Sequence, residues 1–214
     1  MGELIGGACY DRRMVAPVAL MDAVACGSTL ADWLAQPEEA RLELIDGALV
    51  PKAGPSIDHG LAQASTVAAL AGTFGRRARA DGLGGWWLGT EIDLVLDGRG
   101  YRPDLVGWRR DRILDRPRER PVIVRPDWLG EVVSESNRTI DTVVKLARYH
   151  QAGVPHYWIL DQVERTLTVH RHAADGYLIA VRAVAGERVR AEPFAAVELE
   201  VAVLLGEDSD DAPG

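Results

Sequence analysis

The chain has 214 residues, 47% of them apolar and 26% charged, with a formal net charge of −8. That length suits one domain with a single core, and no run of about 18 apolar residues is free of charge, which argues against a membrane-spanning helix. The acidic balance speaks against a protein that coats DNA through overall charge, though not against one with a local basic patch.

Residues 1–27 show no strong periodicity and read as an N-terminal extension. Val15 to Cys26 is apolar and follows Arg12-Arg13, in the manner of a secretory signal, but Pro17 and Asp22 interrupt it and no small-residue cleavage site follows. Met14 and Met21 are alternative natural starts. Cys9 and Cys26 have no zinc-like spacing, so a disulfide framework is not expected and a reducing cytoplasm is the expected location.

Ser28 or Thr29 can cap a short helix over Leu30 to Gln36, stopped at Pro37. Arg41 to Ile45 and Ala48 to Val50 flank Asp46-Gly47, a hairpin signature. Period two places Leu42 and Leu44 on one face and Glu43 and Ile45 on the other. Ile57 to Arg79 reads as a long helix, with Ile57, Leu61, Ala64, Val67, Ala68, Ala71 and Phe74 as its buried stripe. Trp86 to Thr90, Ile92 to Leu96 and Leu105 to Trp108 read as strands, with a turn over Asp97 to Gly100. Gly82-x-Gly84-Gly85 lacks the strand–turn–helix context of a nucleotide fingerprint.

Arg109 to Arg125 holds seven arginines and three acids, a local balance of +4, which suits either a solvated loop or a phosphate-facing one. Trp128 to Ser134 is a strand, Thr139 to Ala152 a helix and His156 to Asp161 a strand. Arg165 to His172 and Tyr177 to Val184 form a closing antiparallel pair, and 207–214 is an acidic tail expected to be disordered. This order of elements predicts an α+β fold with a mixed sheet.

Two acids stand out. Asp104 opens the strand at Leu105, and Glu131 lies between Leu129 and Val133 on an apolar strand, where a carboxylate is costly unless paired or metal-bound. An ion pair with arginine is the bland alternative. Lys145 shares a helix face with Asp141 and Tyr149; Ile140, Val144 and Ala147 on the other side should pack on the sheet, and an Asp141–Lys145 surface pair is the bland reading there. Only two of the 24 basic residues are lysines, Lys52 and Lys145, which makes a lysine beside the acids more telling. Asp, Glu and Lys at one sheet edge suit metal-dependent phosphodiester cleavage: hard oxygen ligands for a divalent ion and a cation for the attacking water.

Glu91 and Asp93 alternate beside Asp104, and one of them could reach it. His59 reads as a surface or capping residue, or else as one that orients a ligand or contacts phosphate. His156, His170 and His172 share no metal-type spacing. Tyr149 and Trp158 should pack under the helix, while Trp86, Trp87 and Trp128 are candidates for either core or an interface.

The order Arg-Pro-Asp at 102–104, Glu-Val-Val-Ser at 131–134, Asp-x-x-x-Lys-x-x-x-Tyr at 141–149 and Gly-Val-Pro-His-Tyr-Trp-Ile-Leu-Asp at 153–161 resembles the Uma-type restriction-endonuclease family of the PD-(D/E)xK nuclease superfamily. Leu42 to Gly47 and His59 extend the likeness, which spans roughly residues 29 to 204. It implies a restriction-endonuclease-like core over 28–206, a central mixed sheet flanked by helices. It also implies Asp104 and Glu131 as metal-binding acids, the Val132 carbonyl completing the metal shell, and Glu43 as an auxiliary acid. The superfamily's usual lysine two residues after the second acid is replaced here by Val133, and Lys145 stands in from the next helix. The expected cofactor is Mg²⁺, with Mn²⁺ able to substitute, the expected partner DNA, and the expected assembly a homodimer. A non-catalytic binding or assembly module on the same fold is the competing expectation, and RNA is an alternative substrate.

Overall fold

The computed structural model describes residues 27–208 apart from 53, 79, 81–82 and 136. Its centre is a six-stranded mixed sheet beside a four-stranded antiparallel sheet, and the chain crosses between the two at 52–85, 91–93 and 102–104.

Helix α1 (Leu30–Leu34) starts at Thr29, whose side chain and that of Asp32 each accept from the other's backbone N–H. β1 (Leu42–Ile45) and β2 (Ala48–Pro51) pair around Asp46-Gly47, with φ of 51° and 77°. Two successive left-handed residues give the turn whose twist matches the strands.

α2 (Ile57–Phe74) ends at Gly75, short of the expected Arg79, which lies outside the described residues. Its buried stripe is Ala62, Thr66, Leu70 and Phe74, whereas Ile57 is 82% and Leu61 49% exposed. The expected stripe is therefore corrected: Phe74 alone of it is fully buried, and Val67 packs only partly on the core. The helix carries alanine on several faces, so its apolar pattern selects none; the small Ala62 and the Thr66 hydroxyl, donating 2.8 Å to the Leu204 carbonyl, fix which side meets the C-terminal segment.

β3 (Trp86–Thr90), β4 (Leu94–Leu96), β5 (Arg99–Tyr101) and β6 (Leu105–Arg109) follow. The turn expected over Asp97 to Gly100 is only Asp97-Gly98; Arg99 to Tyr101 pairs with β4 on one side and β1 on the other. β7 (Trp128–Val133), a crossover helix, and β8 (His156–Asp161) make the sole parallel pair of the six-stranded sheet, in the order β10-β9-β8-β7-β6-β3. β9 (Thr166–Ala173) and β10 (Gly176–Val184) are the closing antiparallel pair. β11 (Arg188–Val189), β12 (Leu199–Glu200) and α4 (Val201–Leu204) complete the chain. Glu207, where the acidic tail was expected to begin, accepts from Arg165 at 2.9 and 2.5 Å.

Period two divides the core into two. Trp128, Val132, Trp158 and Leu160 face α2, α4 and Phe194. Leu129, Val133, Tyr157 and Ile159 face the crossover helix and the smaller sheet. Each such buried large side chain contributes roughly 1.5–3 kcal/mol. Trp86 and Trp128 belong to the first half and are buried, so neither supplies an interface; Trp87 is half-buried under the Arg110 guanidinium, 3.6 Å from its ring centroid. Tyr149 and Trp158 are fully buried, as expected.

The crossover opens with a π-helical turn (Ile140–Lys145) and continues as α3 (Leu146–Gln151). Its deepest residues are Asp141, Lys145 and Tyr149, with Ile140 and Val144 only partly buried and Ala147 exposed. The face carrying Asp141, Lys145 and Tyr149 is thus the innermost one, in place of the Ile140, Val144 and Ala147 side expected to pack on the sheet, and the Asp141–Lys145 pair, at 3.0 Å, is buried rather than the surface pair of the bland reading. No described helix is long and apolar enough to cross a membrane.

A buried acid–lysine cluster as the candidate functional site

Strand register brings the two acids together. β6 and β7 pair antiparallel, and their last matched residues are Leu105 and Gly130. One step further the ladder would set Asp104 opposite Glu131, but there the strands part and side chains take over the hydrogen bonding. The Val132 N–H donates to Asp104 Oδ2 at 2.8 Å, and the Asp104 N–H donates to Glu131 Oε2 at 3.3 Å. A strand residue's N–H and C=O point to the same edge, so the Val132 carbonyl faces the Asp104 side too. Gly130 permits the pairing: a Cβ there would stand 3.0 Å from the Leu105 side chain.

The smaller sheet supplies Glu43. Its Oε1 accepts from the Arg102 N–H at 2.8 Å, and its Oε2 lies 2.9 Å from Lys145 Nζ. The same ammonium is 3.1 Å from Glu131 Oε1, which also accepts from the Tyr149 hydroxyl at 3.1 Å. All four residues singled out in the sequence, Glu43, Asp104, Glu131 and Lys145, therefore share one cluster, and Asp141 joins it.

Sequence reasoning missed Lys52. It leaves the end of β2 and is buried, its Nζ donating to the Arg102 carbonyl at 2.6 Å. That ammonium stands 2.7 Å from Asp104 Oδ1, 3.6 Å from Glu131 Oε2 and 4.0 Å from Glu91 Oε1. Both lysines of the chain are thus spent on one acid cluster, with Glu131 as their shared partner. The strong preference for arginine elsewhere was the signal that could have found Lys52 as readily as Lys145.

His59 also belongs here. Its Nε2 is 3.1 Å from Asp104 Oδ1, and the Gln63 amide one turn on reaches Asp104 Oδ1 at 2.9 Å and Glu91 Oε1 at 3.0 Å. The reading of His59 as a surface residue is corrected, while its backbone N–H is capped by Ser56. Glu91, in a left-handed conformation at φ 53°, turns toward the cluster and pairs with Arg41 at 2.9 Å. Asp93 does not reach it, being held by Arg102 at 2.6 and 3.0 Å. His59, Glu91 and Asp104 each offer a ligand atom within 4.8 Å of the others, a set that overlaps the expected metal ligands only at Asp104.

Four carboxylates (Glu43, Asp104, Glu131, Asp141) and two ammoniums are buried together. Burial would raise the Asp104 carboxyl, but Lys52 and His59 overcome it and hold the group well below the usual carboxylate range. Burial pushes Glu131 up to about 8 despite the pull of Lys145 and Lys52. Burial also disfavours charge on Lys145, yet Asp141, Glu131 and Glu43 hold it protonated, well above a free lysine. A cavity of about 250 Å³ opens onto Lys52, His59, Asp104, Glu131, Asp141 and Lys145.

The model of the Uma2 family, described as putative restriction endonuclease, matches residues 28–204. The chain belongs to that family. Among solved structures, the Uma2 chain is similar to a putative nuclease belonging to DUF820 from Anabaena variabilis. The TM-score is 0.66 and the identity 19%, with 83% of this chain and 97% of that one covered. That likeness carries the restriction-endonuclease-like fold. No curated protein sequence matches. Family and fold together support a nuclease.

Proposed function

We propose that this Uma2 protein is a Mg²⁺-dependent endonuclease hydrolysing DNA phosphodiester bonds at the acid–lysine cluster. The observation that carries this reading is the convergence of four buried carboxylates on two ammoniums beside a cavity. Buried carboxylates are costly unless they are paired or bind a metal, and a divalent cation would satisfy them. The donor set fits such an ion, being hard oxygens with one imidazole, and the Lys52 ammonium among them already stands in as a cation.

Asp104 and Glu131 would hold the ion, with the Val132 carbonyl beside them. A bound divalent ion supplies Lewis-acid polarisation of the scissile phosphate and lowers the pKa of a coordinated water. Glu43 and Asp141, through Lys145, keep Glu131 in place. Lys145 would orient the water and oppose charge developing on the phosphate. His59 and Gln63 would fix the rotamer of Asp104.

The arginine-rich loop supports a nucleic-acid substrate. Arg110, Arg112 and Arg120 are tied to neighbours: to Trp86, Asp127 and Glu38, respectively. Arg116 and Arg118, with Arg120, line a cavity of about 520 Å³ that also borders Glu91 and Trp87. Phosphates tracking that groove would run toward the cluster. Paired cleavage of both strands would call for a homodimer.

The test is cleavage of supercoiled plasmid, short duplexes and RNA with Mg²⁺ or Mn²⁺. Asp104→Ala, Glu131→Ala and Lys145→Ala should each lose about 10²–10³-fold in rate, as expected for groups stabilising charge in the transition state. Equal activity in all four proteins removes the assignment, and an inactive wild type that binds DNA without metal favours the assembly module.

A further inference from the structure

Lys52 has no part in the mechanism above, yet its ammonium occupies the middle of the acid cluster. We propose that Lys52 is a displaceable counter-ion: it fills the place of the divalent ion between Asp104 and Glu131 and must swing away when that ion binds. The inference rests on the metal-dependent reading of the site.

The argument is first one of space. Nζ lies 2.7 Å from Asp104 Oδ1 and 3.6 Å from Glu131 Oε2. Carboxylate oxygens bind Mg²⁺ at about 2.0–2.1 Å. An ion meeting the same two oxygens would overlap the ammonium, and repulsion between like charges forbids sharing. The displaced group also has somewhere to go, because Lys52 itself lines the cavity of about 250 Å³, together with Gly54 and Ser56.

The second argument is chemical identity. Of 24 basic residues, 22 are arginine, and both exceptions lie in this cluster. A guanidinium would grip the carboxylates in a planar fork, while an ammonium is a point charge on a flexible stem. The two lysines differ in how they are held. Lys145 is ringed by Glu43, Glu131 and Asp141, all within 3.1 Å. Lys52 makes one close carboxylate contact and one carbonyl hydrogen bond, so it is the one that can leave. Once displaced it remains tethered at the cavity, with an unpaired positive charge available to an incoming phosphate.

The experiment is calorimetric titration of Mg²⁺ and Mn²⁺ into the full chain. Compared are wild type, Lys52→Gln and Lys52→Arg, with the rise in Tm at saturating metal as a second readout. Removing the competitor in Lys52→Gln should tighten metal binding at least tenfold and enlarge the rise in Tm. Lys52→Arg, harder to displace, should weaken binding at least tenfold. Unchanged or weaker binding by Lys52→Gln overturns the inference. Should Lys52→Gln not fold without metal, Lys52→Arg decides: equal or tighter binding overturns it. Metal binding to wild type with no gain in Lys52→Gln leaves the nuclease reading intact and sinks only this one. No binding by any of the three proteins overturns both.

Discussion

Lys145 and Glu43 meet at 2.9 Å although they come from different layers, one from the crossover of the six-stranded sheet and the other from the smaller sheet. The ammonium is the common partner of Glu43, Glu131 and Asp141, none of them exposed to water. Lys145→Met should therefore leave buried carboxylates unpaired and lower stability by about 3–5 kcal/mol. Urea unfolding of Lys145→Met and of the double variant Lys145→Met/Glu43→Gln checks this. The second change should recover part of the loss, because it removes one of the stranded charges.

Asp46 gives a contrasting case. It joins the tip of the β1–β2 hairpin to Arg99 at 2.8 Å and to Arg148 on α3 at 2.6 Å, but it is 37% exposed. Solvent screening limits such pairs, so Asp46→Ala should cost only about 0.2–1 kcal/mol. A loss comparable to that of Lys145→Met would mean the two layers are held together at the hairpin tip and not by the buried ammonium.

His59 stands 3.1 Å from Asp104, and in the proposed site it would orient that carboxylate. Residues that orient a ligand typically cost about 10–100-fold in metal affinity or activity when removed. His59→Ala should weaken Mn²⁺ binding and slow cleavage within that range without abolishing folding, read by calorimetry alongside circular dichroism. Full affinity in the variant would reduce His59 to a helix-end residue.

Stability should depend on pH through histidines remote from the cluster. Burial lowers the pKa of both His156 and His170 from the ordinary value of 6.5. Below about 6.5 the unfolded chain takes up protons that the folded chain refuses, so stability falls as pH drops through that value. Above it both states carry neutral rings and the histidine contribution vanishes. The raised pKa of Glu131 acts the other way, favouring the folded state as pH falls below about 8, so the difference in denaturation midpoint between wild type and His170→Asn from pH 8 to 5.5 isolates the histidine contribution; a difference that does not change with pH assigns the effect elsewhere.

The sequence made the site partly legible because its signals are local. Asp46-Gly47 announces a hairpin, and an acid between Leu129 and Val133 on an apolar strand announces a cost in need of a partner. The family resemblance then linked Glu43, Asp104, Glu131 and Lys145. Lys52 carried no comparable local signal: a lysine at the end of a short strand before Gly54-Pro55 looks like any solvated end, and only the fold turns it onto Asp104. Asp141 and Lys145 fit a surface pair by spacing alone, and only the packing of the crossover shows them buried. The burial of α2 was misread because its alanines mark no single face, leaving Thr66 and Leu204 to choose it.

Where β6 and β7 part company beyond Leu105 and Gly130, Glu131 still lies within β7 and Asp104 directly precedes β6. Their spacing is consequently inherited from the backbone ladder, which is among the stiffest parts of any protein. In the proposed reaction, adjustment then falls to the methylene stems of the two lysines, whose torsions pivot beside acids that the ladder holds in register.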